Sequence, residues 1–107
     1  MKSKELKNIQ SRLKSIFEQN NVKRVVLFGS AARETETRKS DLDLMIVMET
    51  EKRFFDRFQA FDQVFDLLKG KAVDLLIYTP EELEAISSRP FIRTILREGQ
   101  ILYEQGV

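Results

Sequence analysis

The sequence predicts an α/β domain, a small mixed sheet of three or four strands with helices packed on it. Three observations carry that prediction. Apolar residues recur at helical spacing in two long stretches, 3–19 and 50–69. Apolar runs of strand length, at 23–28, 42–48, 72–78 and 100–103, alternate with helical segments. Glycine and proline fall at the junctions between these runs. With 107 residues the chain has room for one such domain, spanning 1–107.

The first element is an amphipathic helix over 3–19. Leu6, Ile9, Leu13, Ile16 and Phe17 form its apolar face, with Lys and Arg between them. Ser3 is its expected N-cap and Asn20-Asn21 its stop. A strand over 23–28 then runs into Gly29-Ser30, where Ser30 is expected to cap a helical turn of Ala31, Ala32 and Arg33. Residues 34–40 form a polar loop carrying Arg38 and Lys39. The strand 42–48 is apolar on both faces beyond its opening acids, so it belongs at the sheet centre, covered on both sides.

Thr50 is expected to cap a helix reaching Lys69 and ending at Gly70. Its core stripe reads Phe54, Phe58, Phe61, Phe65 and Leu68, widened by Val64. Phe55 lies off that stripe and is a candidate for a partner surface. In the strand 72–78 a single acid, Asp74, breaks the apolar run. Pro80 opens a helix whose first-turn Glu81 and Glu82 suit the helix dipole. Pro90 opens another over 91–97, stopped by Gly99, and residues 100–103 close the chain as a short edge strand.

Composition removes several chemistries. There is no cysteine, hence no disulfide, thiolate metal site or Cys nucleophile, and no histidine, the commonest general base. Any bound metal is therefore held by oxygen. No apolar run approaches the ~20 residues of a membrane span and no signal peptide opens the chain, so a cytoplasmic protein is expected. The net charge of +1 is unevenly spread: ten basic against four acidic residues in 1–39, eight against thirteen in 40–107. The basic part surrounds Gly29-Ser30, which favours a polyanionic ligand. Basic residues are not interleaved with exposed aromatics, so a nucleic-acid partner is not expected.

The chemistry concentrates around Gly29-Ser30 and Asp41-Leu42-Asp43. Residues two apart on a strand share a face, which sets the Asp41 and Asp43 Cα atoms roughly 6–7 Å apart. Two carboxylates that close repel unless a cation or a shared proton intervenes. Hard oxygen ligands that leave room for substrate phosphates suit Mg²⁺. Gly29 permits close approach of a ligand to the main chain, and a helical turn behind a strand offers N–H groups to phosphate. The spacing is not that of a P-loop. An unpaired carboxylate within a sheet is costly, so Asp74 either finds a partner or faces Asp41 and Asp43. A plain hairpin would leave unexplained why two acids open an apolar strand, where Asp is disfavoured.

Gly29-Ser30, ten residues, then Asp41-Leu42-Asp43 resembles the GS-x10-DxD motif of the polymerase β-like nucleotidyltransferases. The flanks Phe28-Gly29-Ser30-Ala31-Ala32-Arg33 and Ser40-Asp41-Leu42-Asp43-Leu44 are similar to those of its smallest members, the minimal nucleotidyltransferases (MNT). Glu34 departs from the pattern, since many relatives carry Gly there. The resemblance implies their catalytic core and transfer of a nucleoside monophosphate from a nucleoside triphosphate, with ATP the expected donor. It implies Asp41, Asp43 and Asp74 as catalytic and metal-ligating residues, Asp74 standing on the next strand beside the pair. It also implies two Mg²⁺ ions, with Mn²⁺ as a substitute, and Gly29, Ser30 and Arg33 around the phosphates. The implied partner is a HEPN-domain protein in a toxin–antitoxin pair, modified on a hydroxyl. A non-catalytic binding protein that neutralises a HEPN partner by complex formation is the alternative. A DxD sugar transferase would need far more chain. The acceptor, the base preference and assembly into a homo- or hetero-oligomer stay open.

Overall fold

The structure, a computed structural model, describes residues 3–32 and 41–106. Arg33 and the loop 34–40, singled out above, lie outside the described residues. Helix α1 (Ser3–Gln19) leads into strand β1 (Val22–Phe28), the single-turn helix α2 (Gly29–Ala32) and strand β2 (Leu42–Met48). A 3-10 helix (Phe54–Phe61) and helix α3 (Asp62–Leu67) connect to β3 (Val73–Tyr78). Helices α4 (Pro80–Ala85) and α5 (Pro90–Glu98) precede β4 (Gln100–Glu104). The end of α1 falls at the asparagines as expected. Asn20 Nδ2 donates to the Ile16 carbonyl at 2.8 Å, and Asn21 takes φ +53°, a left-handed conformation that Asn tolerates.

The sheet is four-stranded in the order β3-β2-β1-β4. β1 pairs antiparallel with both β2 and β4, whereas β2 and β3 run parallel. A parallel pair needs a crossover, which the 3-10 helix and α3 supply. Side chains alternate between two cores. Val25, Leu27, Leu44 and Ile46 face α1 and α3 and pack with Ile9, Leu13, Phe17 and Phe61. Val26, Met45 and Val47 face the other way and pack with Ile92 and Ile95 of α5. β2 is thus covered on both sides and β4 is an edge strand, as the apolar pattern predicts. Among the described residues no helix is long and apolar enough to cross a membrane.

Two local expectations are corrected. Ser30 does not precede the short helix as a cap, because α2 already takes in Gly29 and Ser30. The helix expected from Thr50 to Lys69 is instead a 3-10 helix followed by a short α-helix, and Arg53 occupies the N-cap position. Thr50 Oγ1 accepts from Lys52 N–H, a local turn outside the helix. The buried stripe becomes Arg57, Phe61, Val64 and Leu68, and Phe65 is left 42% exposed. Phe55 is 83% exposed, consistent with its place off the stripe.

Arg57 anchors this segment to later parts of the chain. Its Nε donates back to the Lys52 carbonyl at 2.9 Å and its Nη1 to the Ile77 carbonyl at 3.0 Å. Both ends of the guanidinium also donate to the Glu82 carboxylate, at 2.6 and 2.9 Å. Glu82 closes a capping box with Thr79 at the start of α4. One buried cation therefore ties the 3-10 helix to the end of β3 and the first turn of α4. Arg57 holds the Glu82 carboxyl down, from the ordinary 4.5 to about 2.

Candidate active site

The site forms where three strands end together. β1 pairs with β2 so that Phe28 lies opposite Asp43, which sets Gly29 beside the Asp43 side chain. β2 pairs with β3 so that Asp43 lies opposite Asp74. Gly29, Asp43 and Asp74 thus stand in a row across three adjacent strands. Asp43 shares strand parity with Met45 and Val47, and Asp74 with Leu76 and Tyr78, on the face that α5 covers.

Gly29 is required here on two counts. Its φ of +75° is the left-handed region that side-chain-bearing residues rarely adopt. A Cβ at this position would also overlap Asp43 Oδ2. The missing side chain lets Asp43 lie against the main chain at the end of β1.

The carboxylates act on one another. Asp43 is half-buried, and its pKa is raised from the ordinary aspartate value, first by burial, then by the charges of Asp74 and Asp41 and a hydrogen bond with Asp74. Asp41 stands exposed just before β2 and not within it, yet its charge still reaches Asp43. Asp74 is exposed near the start of β3. The structure therefore brings Asp41, Asp43, Asp74 and Gly29 to one end of the sheet; Ser30 follows Gly29 in α2, and Arg33 is not described.

Among the described residues no cluster of three or more acidic side chains is arranged as a ready-made metal cage. The donor set still fits a hard divalent cation. Asp43 and Asp74 supply adjacent oxygens whose mutual repulsion a cation would relieve, and Asp41 stands close by. Mg²⁺ binds through one or two carboxylates plus substrate phosphates and needs no dedicated protein cage.

A cavity of about 370 Å³ opens beside this row, lined by Phe28, Gly29, Asp43, Phe91, Thr94, Ile95 and Glu98. A larger groove of about 580 Å³ lies along the same sheet face between α4 and α5, and none of the site acids lines it. The smaller one is the one that adjoins the chemistry. Phe91, on its wall, has no counterpart in the sequence reading, because an apolar residue at a helix start reads as core.

This fold, with a glycine turn and paired strand carboxylates at one sheet end, defines a nucleotidyltransferase. The sequence matches the family "Polymerase beta, Nucleotidyltransferase" over residues 11–106, and the chain belongs to it. A Methanocaldococcus jannaschii protein assigned as a protein adenylyltransferase is 32% identical over 106 residues, covering 94% of this chain and 96% of the relative. Among solved structures, one described as a minimal nucleotidyltransferase superposes with a TM-score of 0.65 at 26% identity, covering 94% of this chain and 95% of that one. A structure of a tri-AMPylated Shewanella oneidensis HEPN toxin in complex with its MNT antitoxin gives a TM-score of 0.59 at 14% identity. That match covers 94% of this chain and 73% of the other, and at such identity the likeness is one of fold.

Proposed function

We propose that this protein transfers AMP from ATP to a hydroxyl of a partner protein, and that the partner is a HEPN-domain toxin which the modification neutralises. The observation that carries the reading is the row of Gly29, Asp43 and Asp74 across three strands of this fold. The curated relative is assigned the same class of reaction. The AMP groups on the HEPN toxin of a structural neighbour supply the partner class.

In this reading Gly29 N–H and Ser30 Oγ hold the β- and γ-phosphates, with Arg33 as a further phosphate contact. Asp41, Asp43 and Asp74 would hold Mg²⁺, two ions at full occupancy. Bound Mg²⁺ would supply charge neutralisation on the triphosphate and on the attacking and leaving oxygens. Asp74, exposed and on the far side of Asp43 from Gly29, takes the proton of the acceptor hydroxyl. The acceptor oxygen forms a bond to the α-phosphorus as the bond to the bridging oxygen breaks, and pyrophosphate leaves. Phosphoryl-type transfer depends mostly on positioning, so an acceptor held by docking reacts far faster than a free one. In this reading the protein works in the cytoplasm, where ATP is at hand as donor.

The test is mass spectrometry of a HEPN partner after incubation with this protein, ATP and Mg²⁺. A gain of one or more AMP units, lost with Asp41→Asn, is the expected result. Label arriving from the γ-phosphate would mean a kinase, and modification of RNA alone would refute a protein acceptor. Neutralisation by complex formation without any AMP gain would establish the binding-protein alternative.

A further inference from the structure

We infer that the cavity beside Gly29 receives the nucleobase of the donor, stacked on the exposed Phe91. This rests on the nucleotidyltransferase reading and adds to it the residue that recognises the base.

The direction follows from the order of the strands. Asp74, Asp43 and Gly29 lie in sequence from β3 to β1, with the phosphates assigned to the Gly29 end. The cavity touches Gly29 and Asp43 and continues to α5, and Asp74 does not line it. A triphosphate anchored at Gly29 therefore has its nucleoside on the α5 side, and the acceptor hydroxyl enters from the Asp74 side. The cavity falls within the range of pockets that hold small ligands.

α5 is built to present Phe91 there. Pro90 presets the helix start, and Ile92 and Ile95 are buried against Val26, Met45 and Val47. Phe91 is rotated about 100° from Ile92 and escapes that burial, so the residue is 59% exposed. It is nevertheless held in place, because Phe28 packs against it edge-to-face at 6.0 Å between centroids and 82° between planes. Phe28 immediately precedes Gly29, so the ring that supports the platform adjoins the phosphate anchor along the backbone. A largely exposed aromatic residue, braced by Phe28 at the wall of a cavity that begins at the phosphate site, suits base stacking.

The experiment measures binding of ATP, UTP and inorganic tripolyphosphate, each with Mg²⁺, to the full chain and to its Phe91→Ala and Phe91→Trp variants. Phe91→Ala is expected to weaken ATP about tenfold or more, UTP less, and tripolyphosphate less than about twofold. Phe91→Trp is expected to restore ATP affinity. Its indole would be the only one in a chain without tryptophan, and ATP but not tripolyphosphate should quench its fluorescence. Equal weakening of ATP and tripolyphosphate by Phe91→Ala would overturn the inference in favour of a structural role. Unchanged ATP binding with lost capture of the HEPN partner would overturn it in favour of partner docking. Wild-type protein that binds neither ATP nor tripolyphosphate would refute the underlying nucleotidyltransferase reading, and the inference with it.

Discussion

Gly29→Ala is the most informative perturbation, because one methyl group strikes both the backbone and the reacting acid. At φ +75° an L-residue costs roughly 1–2 kcal/mol relative to glycine. The added Cβ also overlaps Asp43 Oδ2, and ordinary contact requires the carboxylate to retreat by about 1 Å. Turning Asp43 away from its preferred rotamer adds about 0.5–1.5 kcal/mol. The total is about 2.5 kcal/mol, which for a domain of this size lowers Tm by roughly 10 °C or more. Transfer activity is expected to fall about 100-fold or more, since a displacement of that size at a reacting centre has that effect. Urea and thermal melts of wild type, Gly29→Ala, Asp43→Ala and the double variant separate the two parts. The overlap vanishes when Asp43 is absent, so the cycle should show a coupling of about 0.5–1.5 kcal/mol, leaving the backbone part alone. A Gly29→Ala protein that melts within about 2 °C of wild type would refute the reasoning. So would a coupling near zero, which would show that Asp43 does not lie against Gly29.

Asp43→Asn is expected to abolish transfer while leaving the ligand-free protein as stable as wild type or more so. Burial and the neighbouring charges of Asp74 and Asp41 disfavour the ionised carboxylate there, and thermal melts at neutral pH read the effect. Mg²⁺ or Mn²⁺ with ATP should raise Tm, by the equivalent of about 2.7 kcal/mol at a hundredfold excess over Kd, and zinc should have no privileged effect. Glu82→Gln should remove part of the acid sensitivity of the fold. Because the folded-state pKa of Glu82 is depressed, its pairing with Arg57 stabilises above the unfolded value of 4.5, and that stability is lost as pH falls towards about 2. The Glu82 side chain is 45% exposed, so solvent screening reduces the full linkage figure to about 1 kcal/mol. Urea melts at neutral pH and near pH 2 should differ by about that much less in the variant than in wild type.

Much of the fold was legible because its signals are local. The ends of α1 at Asn20-Asn21, the helix starts at Pro80 and Pro90 and the strand after Gly99 all appear where the sequence predicts them. The span 50–69 was not legible in the same way. Its 3.6-residue periodicity is genuine, but Arg57 reaches Lys52, Ile77 and Glu82, and two of those partners belong to later elements. A contact that has not yet been formed cannot be read in the local pattern, so the tighter coil and the exposure of Phe65 went unpredicted. Phe91 escaped for the same reason, since its neighbour Phe28 comes from the opposite half of the chain.

The sequence by itself determined the pieces of the site. A glycine at the end of one strand and two acids at the head of the next are close neighbours along the chain, and turn chemistry with strand alternation constrains them before any tertiary contact forms. The tertiary structure decided how those pieces meet. The antiparallel register puts Gly29 beside Asp43, and the parallel register puts Asp74 opposite it. The packing of α5 on β1 and β2 brings Phe91 to the same end. Register depends on which apolar faces are buried together across the whole sheet, and a shift of one residue would turn Asp43 to the other face. That choice belongs to the assembled core, because only there do all the strands bury their side chains at once.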